Sequence, residues 1–101
     1  MTVSGNTATD YGCGIDNLDA HLRTENSTVT KNIAPPGHDS GVVSPNLSSF
    51  AVEVLSSIIS ANTNNDDVIY FEGTAGNLFT SDGYNLIGES NATTAFAQLG
   101  D

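Results

Sequence analysis

Positive charge is nearly absent from this sequence. Lys and Arg together number 2, against 12 Asp and Glu, which gives a formal net charge of −10. A surface that binds nucleic acid needs clustered Lys and Arg to neutralise phosphates, so the composition excludes a conventional nucleic-acid-binding protein. The same charge repels anionic membranes and polyanionic sugars such as pectate.

Long apolar runs and paired cysteines are missing as well. No stretch approaches the ~18 consecutive apolar residues of a membrane-spanning helix, and the single cysteine, Cys13, cannot form an internal disulfide. We interpret Cys13 as a small corner or core residue. His21 and His38 lie 17 residues apart with no neighbouring Cys or paired His, so their spacing does not predict a zinc site.

Candidate catalytic groups are equally sparse. The carboxylates Asp16, Asp19, Asp66 and Asp67 could serve glycoside hydrolysis, which uses a pair of acids. All four lie in turn-like stretches, where solvated acids are the norm, and the Gly-x-Ser-x-Gly nucleophile motif is absent. The sequence therefore predicts no catalytic residue and no cofactor.

One acidic turn offers the oxygen ligands that Ca²⁺ prefers. It is the run Asn64-Asn65-Asp66-Asp67, which makes Asp66 and Asp67 the calcium candidates of this chain. The EF-hand pattern and the glycine-rich nonapeptide of calcium-loaded β-rolls are both absent. A structural turn is the preferred interpretation.

What the sequence does contain is a repeat. The apolar anchors Val3, Val29, Ile59 and Leu86 are 26, 30 and 27 residues apart, and similar residues surround the first three. A fixed period in this range is typical of a solenoid, in which each repeat stacks on the next.

Two further sets of apolar residues follow the same period. Leu22, Val52 and Phe79 each stand seven residues before an anchor, and Ile15, Val42 and Phe71 stand twelve or thirteen residues after one. The residues around the anchors are Thr, Val, Ile and Ser, which favour strands over helices. The spacing therefore predicts an all-β fold with three short strands in each turn. The ten predicted core residues are Val3, Ile15, Leu22, Val29, Val42, Val52, Ile59, Phe71, Phe79 and Leu86.

An asparagine follows three of the anchors at the same distance. Asn6, Asn32 and Asn62 each stand three residues after Val3, Val29 or Ile59, so they would occupy one corner of successive turns. Asn tolerates left-handed backbone angles, and its amide can bond the next Asn along a stack. The pattern predicts an asparagine ladder. The alternative is that Asn is simply a common turn residue in this chain.

Two motifs resemble a known family. The first is Thr2-Val3-Ser4-Gly5-Asn6-Thr7-Ala8 with Gly12-Cys13-Gly14-Ile15, which is similar to the repeat of bacterial right-handed parallel β-helix proteins, pectate-lyase-like in fold. The second is Asp82-Gly83-Tyr84-Asn85-Leu86-Ile87-Gly88, which resembles the segment that ends such arrays in large secreted or surface-anchored proteins, so the resemblance implies the C-terminal part of an array. Cys13 and Lys31 replace glycines of the family, and residues 33–41 are unusually rich in proline. The resemblance implies a right-handed parallel β-helix and a secreted or cell-surface setting. It implies no particular reaction.

These observations predict one β-helix segment over residues 1–101, with turns of about 1–22, 23–52, 53–79 and 80–101. We expect a fragment of a longer solenoid, or a chain that associates end to end; the alternative is a small natural protein with a truncated first turn. The predicted function is a non-catalytic structural or surface-display segment, adhesin-like or stalk-like, with a carbohydrate or cell-surface ligand as an open question. The alternative is a fragment of a polysaccharide lyase or glycoside hydrolase whose groove lies outside this chain.

Overall fold

The computed structural model describes residues 1–10, 14–17, 20–38, 40–44, 52–63, 68–70 and 79–88. These residues form ten short strands and no helix, as the Thr-, Val- and Ile-rich anchors predict. The strands are β1 (Thr2–Ser4), β2 (Ile15–Asp16), β3 (Leu22–Glu25), β4 (Thr28–Thr30), β5 (Val42–Ser44), β6 (Val52–Leu55), β7 (Ile58–Ser60), β8 (Val68–Tyr70), β9 (Phe79–Ser81) and β10 (Leu86–Ile87).

The strands form three parallel sheets that the chain visits in a fixed cyclic order. The first sheet has the order β1-β4-β7-β10, the second β2-β5-β8 and the third β3-β6-β9. Every pair of neighbours in these sheets is parallel. One passage through the three sheets is called a circuit here, so β1–β3 form the first circuit and β10 begins the fourth. The predicted all-β class with parallel pairing is confirmed for the described residues.

Inward-facing aliphatic residues lie in register from one circuit to the next. In the first sheet Val3 pairs with Val29 and Val29 with Ile59, and in the third sheet Leu22 pairs with Val52. The backbone of Val52 pairs in turn with that of Phe79, at the predicted position. The fully buried core consists of Val29, Val42, Val52, Val54 and Ile59, and Val3, Ile15, Leu22 and Ile87 pack against it. Because side chains alternate along a strand, the residues between these face outward.

In the first sheet, the predicted stack of anchors is wrong at the fourth circuit. Ile59 pairs with Ile87, and Leu86 pairs instead with the outward-facing Ile58, which leaves Leu86 59% exposed. A shift of one residue moves a strand's whole apolar set to the other face, so Leu86 is not a core residue.

An inserted glycine explains this shift. In the corner between the third and first sheets, the backbone N–H of Ser57 donates to Asn85 Oδ1, and before the corner Val54 pairs with Ser81. Three positions separate Val54 from Ser57, and four separate Ser81 from Asn85. The fourth-circuit corner therefore contains one residue more than the corner before it. Gly83 has φ 96°, a backbone angle that glycine adopts readily and other residues rarely do.

The column of the second sheet also differs from its prediction. Ile15 pairs with Val42 as expected, but Val42 pairs with Val68 rather than with Phe71. The chain between the first and second sheets is thus shorter in the third circuit than in the first two. Phe71 itself lies outside the described residues.

Candidate functional site

The outer face of the third sheet carries a cluster of charged side chains. We define the charged cluster as His21, Arg23, Glu25, Glu53 and Asp82, which belong to three different circuits. Arg23 and Glu53 are direct partners on β3 and β6, and Asp82 follows the end of β9. Their outward position follows from strand alternation, since Leu22, Thr24, Val52 and Val54 occupy the inward positions of the same strands.

Arg23 lies at the centre of the cluster. Its Nη1 donates to Glu53 Oε2 at 3.1 Å and to Asp82 Oδ2 at 3.2 Å, and its Nε lies 3.6 Å from Glu25 Oε2. His21 Nε2 lies 3.7 Å from Glu53 Oε1. One arginine thus links the first circuit to the second and to the third.

The electrostatics of the cluster keep this arginine charged. The hydrogen bond to Glu53, together with the nearby charges of Glu25, Asp82 and Glu53, raises the pKa of Arg23 above its ordinary value, although desolvation acts in the opposite direction. Three carboxylates surround a single permanent cation, so the cluster as a whole is negative.

Two carboxylates of the cluster share one hydrogen-bond donor. Glu53 Oε2 and Asp82 Oδ2 accept hydrogen bonds from the same Arg23 nitrogen. Acid–base pairs in glycoside hydrolysis need environments that keep one carboxyl protonated and the other ionised. Here both groups accept hydrogen bonds from the same Arg23 nitrogen, and both are partly exposed.

A prediction about stability arises from this geometry. Arg23→Gln leaves three neighbouring carboxylates without their shared cation, so we expect a lower melting temperature at low ionic strength and a smaller loss at about 1 M salt, where the Debye length is about 3 Å. Lys31→Gln is the matched control, because it removes one positive charge from an exposed corner that has no ion pair in the described part of the chain. Equal losses for the two variants would contradict a specific role for Arg23.

The predicted asparagine ladder, here called the asparagine row, consists of Asn6, Asn32 and Asn62 and occupies the corner after the first sheet. Asn6 Nδ2 donates to Asn32 Oδ1 at 2.9 Å, and Asn32 Nδ2 donates to Asn62 Oδ1 at 2.8 Å. The backbone N–H groups of Asn6 and Asn32 donate to the same two oxygens, at 3.2 and 3.1 Å. Asn32 is fully buried, so this row provides partners for polar groups that the fold removes from water.

The left-handed residue of this corner is not the asparagine. Positive φ occurs at the residue immediately before each one: Gly5 at 70°, Lys31 at 56° and Ala61 at 58°. The expectation that Asn is placed there for its backbone angles is therefore wrong. Its amide is the part that the corner uses, while the preceding residue makes the bend.

Lys31 provides a test of this division of roles. A side chain in the left-handed region costs about 1–2 kcal/mol, so Lys31→Gly is expected to raise the free energy of unfolding by up to about 1 kcal/mol after the greater unfolded-chain entropy of glycine is subtracted. Lys31→Ala keeps the strain and should be within about 0.5 kcal/mol of the parent. Denaturant midpoints measure both, and a destabilised glycine variant would contradict the assignment.

A second polar row, which the sequence analysis did not predict, lies in the corner before the first sheet. The backbone N–H of Ser27 donates to Ser57 Oγ at 3.3 Å, and that of Ser57 donates to Asn85 Oδ1 at 2.9 Å. All three side chains are buried. Each stands two residues before an inward residue, at Val29, Ile59 or Ile87. Asn85 is only one residue before the predicted anchor Leu86, so the spacing in the sequence did not reveal the row.

The other predicted site residues are not brought together. Asp16 is exposed on β2, His21 belongs to the charged cluster and His38 is half-buried on a different loop. Asp19, Cys13 and the calcium candidates Asp66 and Asp67 lie outside the described residues. Within the described ranges, no three His, Cys, Asp or Glu side chains are grouped so that they could hold a metal ion.

The described residues contain no helix long and apolar enough to cross a membrane. Comparisons with protein-family models, with curated proteins and with solved structures found no match.

Proposed function

We propose that this chain is a segment of a right-handed parallel β-helix with a non-catalytic, structural role in a secreted or cell-surface protein. The observation that supports it is the cyclic strand order, in which β1 to β10 enter the three sheets in turn and each strand pairs with the strand three places later. A β-helix is the architecture in which that order arises from simple stacking of repeats.

The use of the buried polar groups supports a structural role. Asn32, Ser27, Ser57 and Asn85 are buried, and their bonds join one circuit to the next. Such groups stabilise a stack only when their partners are complete, because an unpaired buried polar group is costly. These residues therefore act in stacking rather than in contacts with a substrate.

Circuit insertion is the experiment that tests this proposal. A copy of residues 27–56, inserted after Ser56, adds one complete circuit whose strands would pair with β4–β6 on one side and β7–β9 on the other. We expect a chain that still unfolds in one transition, with a higher denaturant midpoint and a larger m-value, because each added repeat contributes an interface and buried surface.

The matched control carries the same insertion with its copy of Asn32 changed to Ala. This control should gain less stability than the parent insertion, because the added row then lacks one amide. An inserted circuit that unfolds separately, or that prevents folding in both versions, would contradict the stacking architecture.

One observation favours the alternative of a polysaccharide-active enzyme. The charged cluster places Glu53, Asp82 and a cation on one strand face, which is where a β-sheet enzyme could hold a sugar chain. If that function is correct, the chain should release reducing ends or unsaturated products from neutral polysaccharides, and Glu53→Gln should abolish the release. We expect no release from either protein under the structural hypothesis.

A further inference from the structure

The asparagine row has a direction. Asn32 Oδ1 accepts two hydrogen bonds from Asn6, and Asn62 Oδ1 accepts two from Asn32. In each case the donors are the backbone N–H and the side-chain amide of the asparagine one circuit earlier. Asn6 Oδ1, at the start of the row, accepts no hydrogen bond from any described residue. The row therefore ends in an acceptor for which the corner already has the right geometry.

Among the described residues, the strand beside Asn6 has a partner on one side only. β1 pairs with β4, and within the described residues nothing pairs with its other edge. The Met1 carbonyl accepts from the Thr28 N–H at 2.9 Å. Because successive residues of a strand direct their backbone groups to opposite sides, the N–H and C=O of Thr2 and Ser4 point away from β4. β1 also contains no proline and no charged side chain, the features that block edge pairing.

We propose that the edge of β1 together with Asn6 is a docking site for an extended polypeptide segment that carries the chain's own pattern of a β-branched aliphatic residue followed three positions later by Asn. The segment would run parallel to β1, with its aliphatic side chain over Val3 and its asparagine over Asn6. Its backbone N–H and Nδ2 would then both donate to Asn6 Oδ1. This inference rests on the proposed stacking function and specifies the partner that the open edge selects.

The register already present in the first sheet determines this choice of partner. Val3 and Asn6 hold the same relations to Val29 and Asn32 of the next circuit, since Asn6 donates to Asn32. Val29 and Asn32 hold them in turn to Ile59 and Asn62. Val3 is only half-buried, whereas Val29 and Ile59 are fully buried between two neighbours. A docked segment with the same spacing would complete both the apolar column and the amide row, and an antiparallel segment could complete neither.

The test tethers such a segment to the full chain. A copy of residues 27–34 is joined in front of Met1 by a Gly/Ser linker of about 15 residues, long enough to return along the strand and supply an effective concentration in the millimolar range. Hydrogen exchange then reports on the amides of Thr2 and Ser4. We expect them to exchange about fivefold more slowly than in a matched version whose added asparagine is changed to Ala, since the hydrogen bond from Nδ2 to Asn6 Oδ1 distinguishes the segments.

Three results would overturn the proposal. Equal protection by the Asn and Ala segments would mean that the edge pairs without selecting for asparagine. Unchanged exchange at Thr2 and Ser4 with both segments would mean that the edge does not dock such a segment, and protection that fits an antiparallel register would exclude the amide contact. These results are independent of the circuit insertion, which alters the interior of the sheets and leaves the edge of β1 unchanged.

Discussion

Ile59→Ala is expected to lower the free energy of unfolding by about 2–5 kcal/mol, the range for removing a large aliphatic side chain from a packed core. Ile59 is fully buried and belongs to the core cluster that joins all three sheets. Ile58→Ala is the matched control, because it makes the same chemical change at the next residue of β7, where the side chain is 42% exposed. That variant should lose less than about 1 kcal/mol. Chemical denaturation with a common m-value measures the difference.

The fourth circuit also offers an inward and an outward residue side by side. Ile87 packs on the core, while Leu86 faces outward beside Ile58. Ile87→Ala should therefore cost more stability than Leu86→Ala. A greater loss at Leu86, or equal losses at Ile58 and Ile59, would show that the strands pair in a different register.

Asn32→Ala is expected to destabilise the protein by about 2–3 kcal/mol. The substitution removes the oxygen that accepts from two Asn6 donors, and with Nδ2 it removes the bonds to Asn62 Oδ1 and to the Val3 carbonyl. The backbone N–H of residue 32 still donates to Asn62 Oδ1. Because the site is buried, several polar groups lose their partners without gaining water, and each such loss costs about 1–3 kcal/mol at most. Thermal and denaturant unfolding measure the change.

Lys31→Ala is the control for Asn32→Ala. It alters the adjacent residue, keeps the left-handed backbone angle and introduces the residue that Ala61 already provides one circuit later. We expect a change within about 0.5 kcal/mol. If the two variants lose similar amounts, the amide row does not contribute to stability beyond the bend of the corner.

The sequence predicts the strands well because inward positions accept few residue types. Val3, Val29 and Ile59 stand at similar spacings, and their stacking requires a compact aliphatic side chain at each. Spacing fails where loop length changes. Leu86 has the distance from Phe79 that the pattern requires, yet Gly83 adds a residue to the corner and Ile87 takes the inward position.

The same limit explains the second sheet. Phe71 has the distance from Ile59 that Ile15 and Val42 have from their anchors, but the intervening loop is shorter and Val68 pairs with Val42. Sequence spacing predicts which residues pair in neighbouring circuits only when the length of each intervening loop is known. Val68 and Phe71 are both apolar, so hydrophobicity alone cannot resolve the choice.

The candidate sites also differ in how far the sequence predicts them. The asparagine row was predictable because one residue type recurs at one distance from each anchor. The row of Ser27, Ser57 and Asn85 was not, because its members differ in type while performing one function. The charged cluster joins Arg23 to residues 30 and 59 positions away, and that proximity depends on the lengths of all the loops between β3 and β9.

The cyclic strand order has a consequence for folding kinetics. Contacts between successive circuits join residues 26, 30 or 28 positions apart, so each closure spans a quarter to a third of the chain. Proteins dominated by such distant contacts fold slowly, on a timescale of milliseconds to seconds, since the entropy of a large loop is lost before any strand pairs. Once β4 has paired with β1 or β7, however, the paired strands present an ordered edge to which the following strand can bind. Folding should therefore begin with one slow closure and continue outward in faster steps, with the first and fourth circuits ordering last.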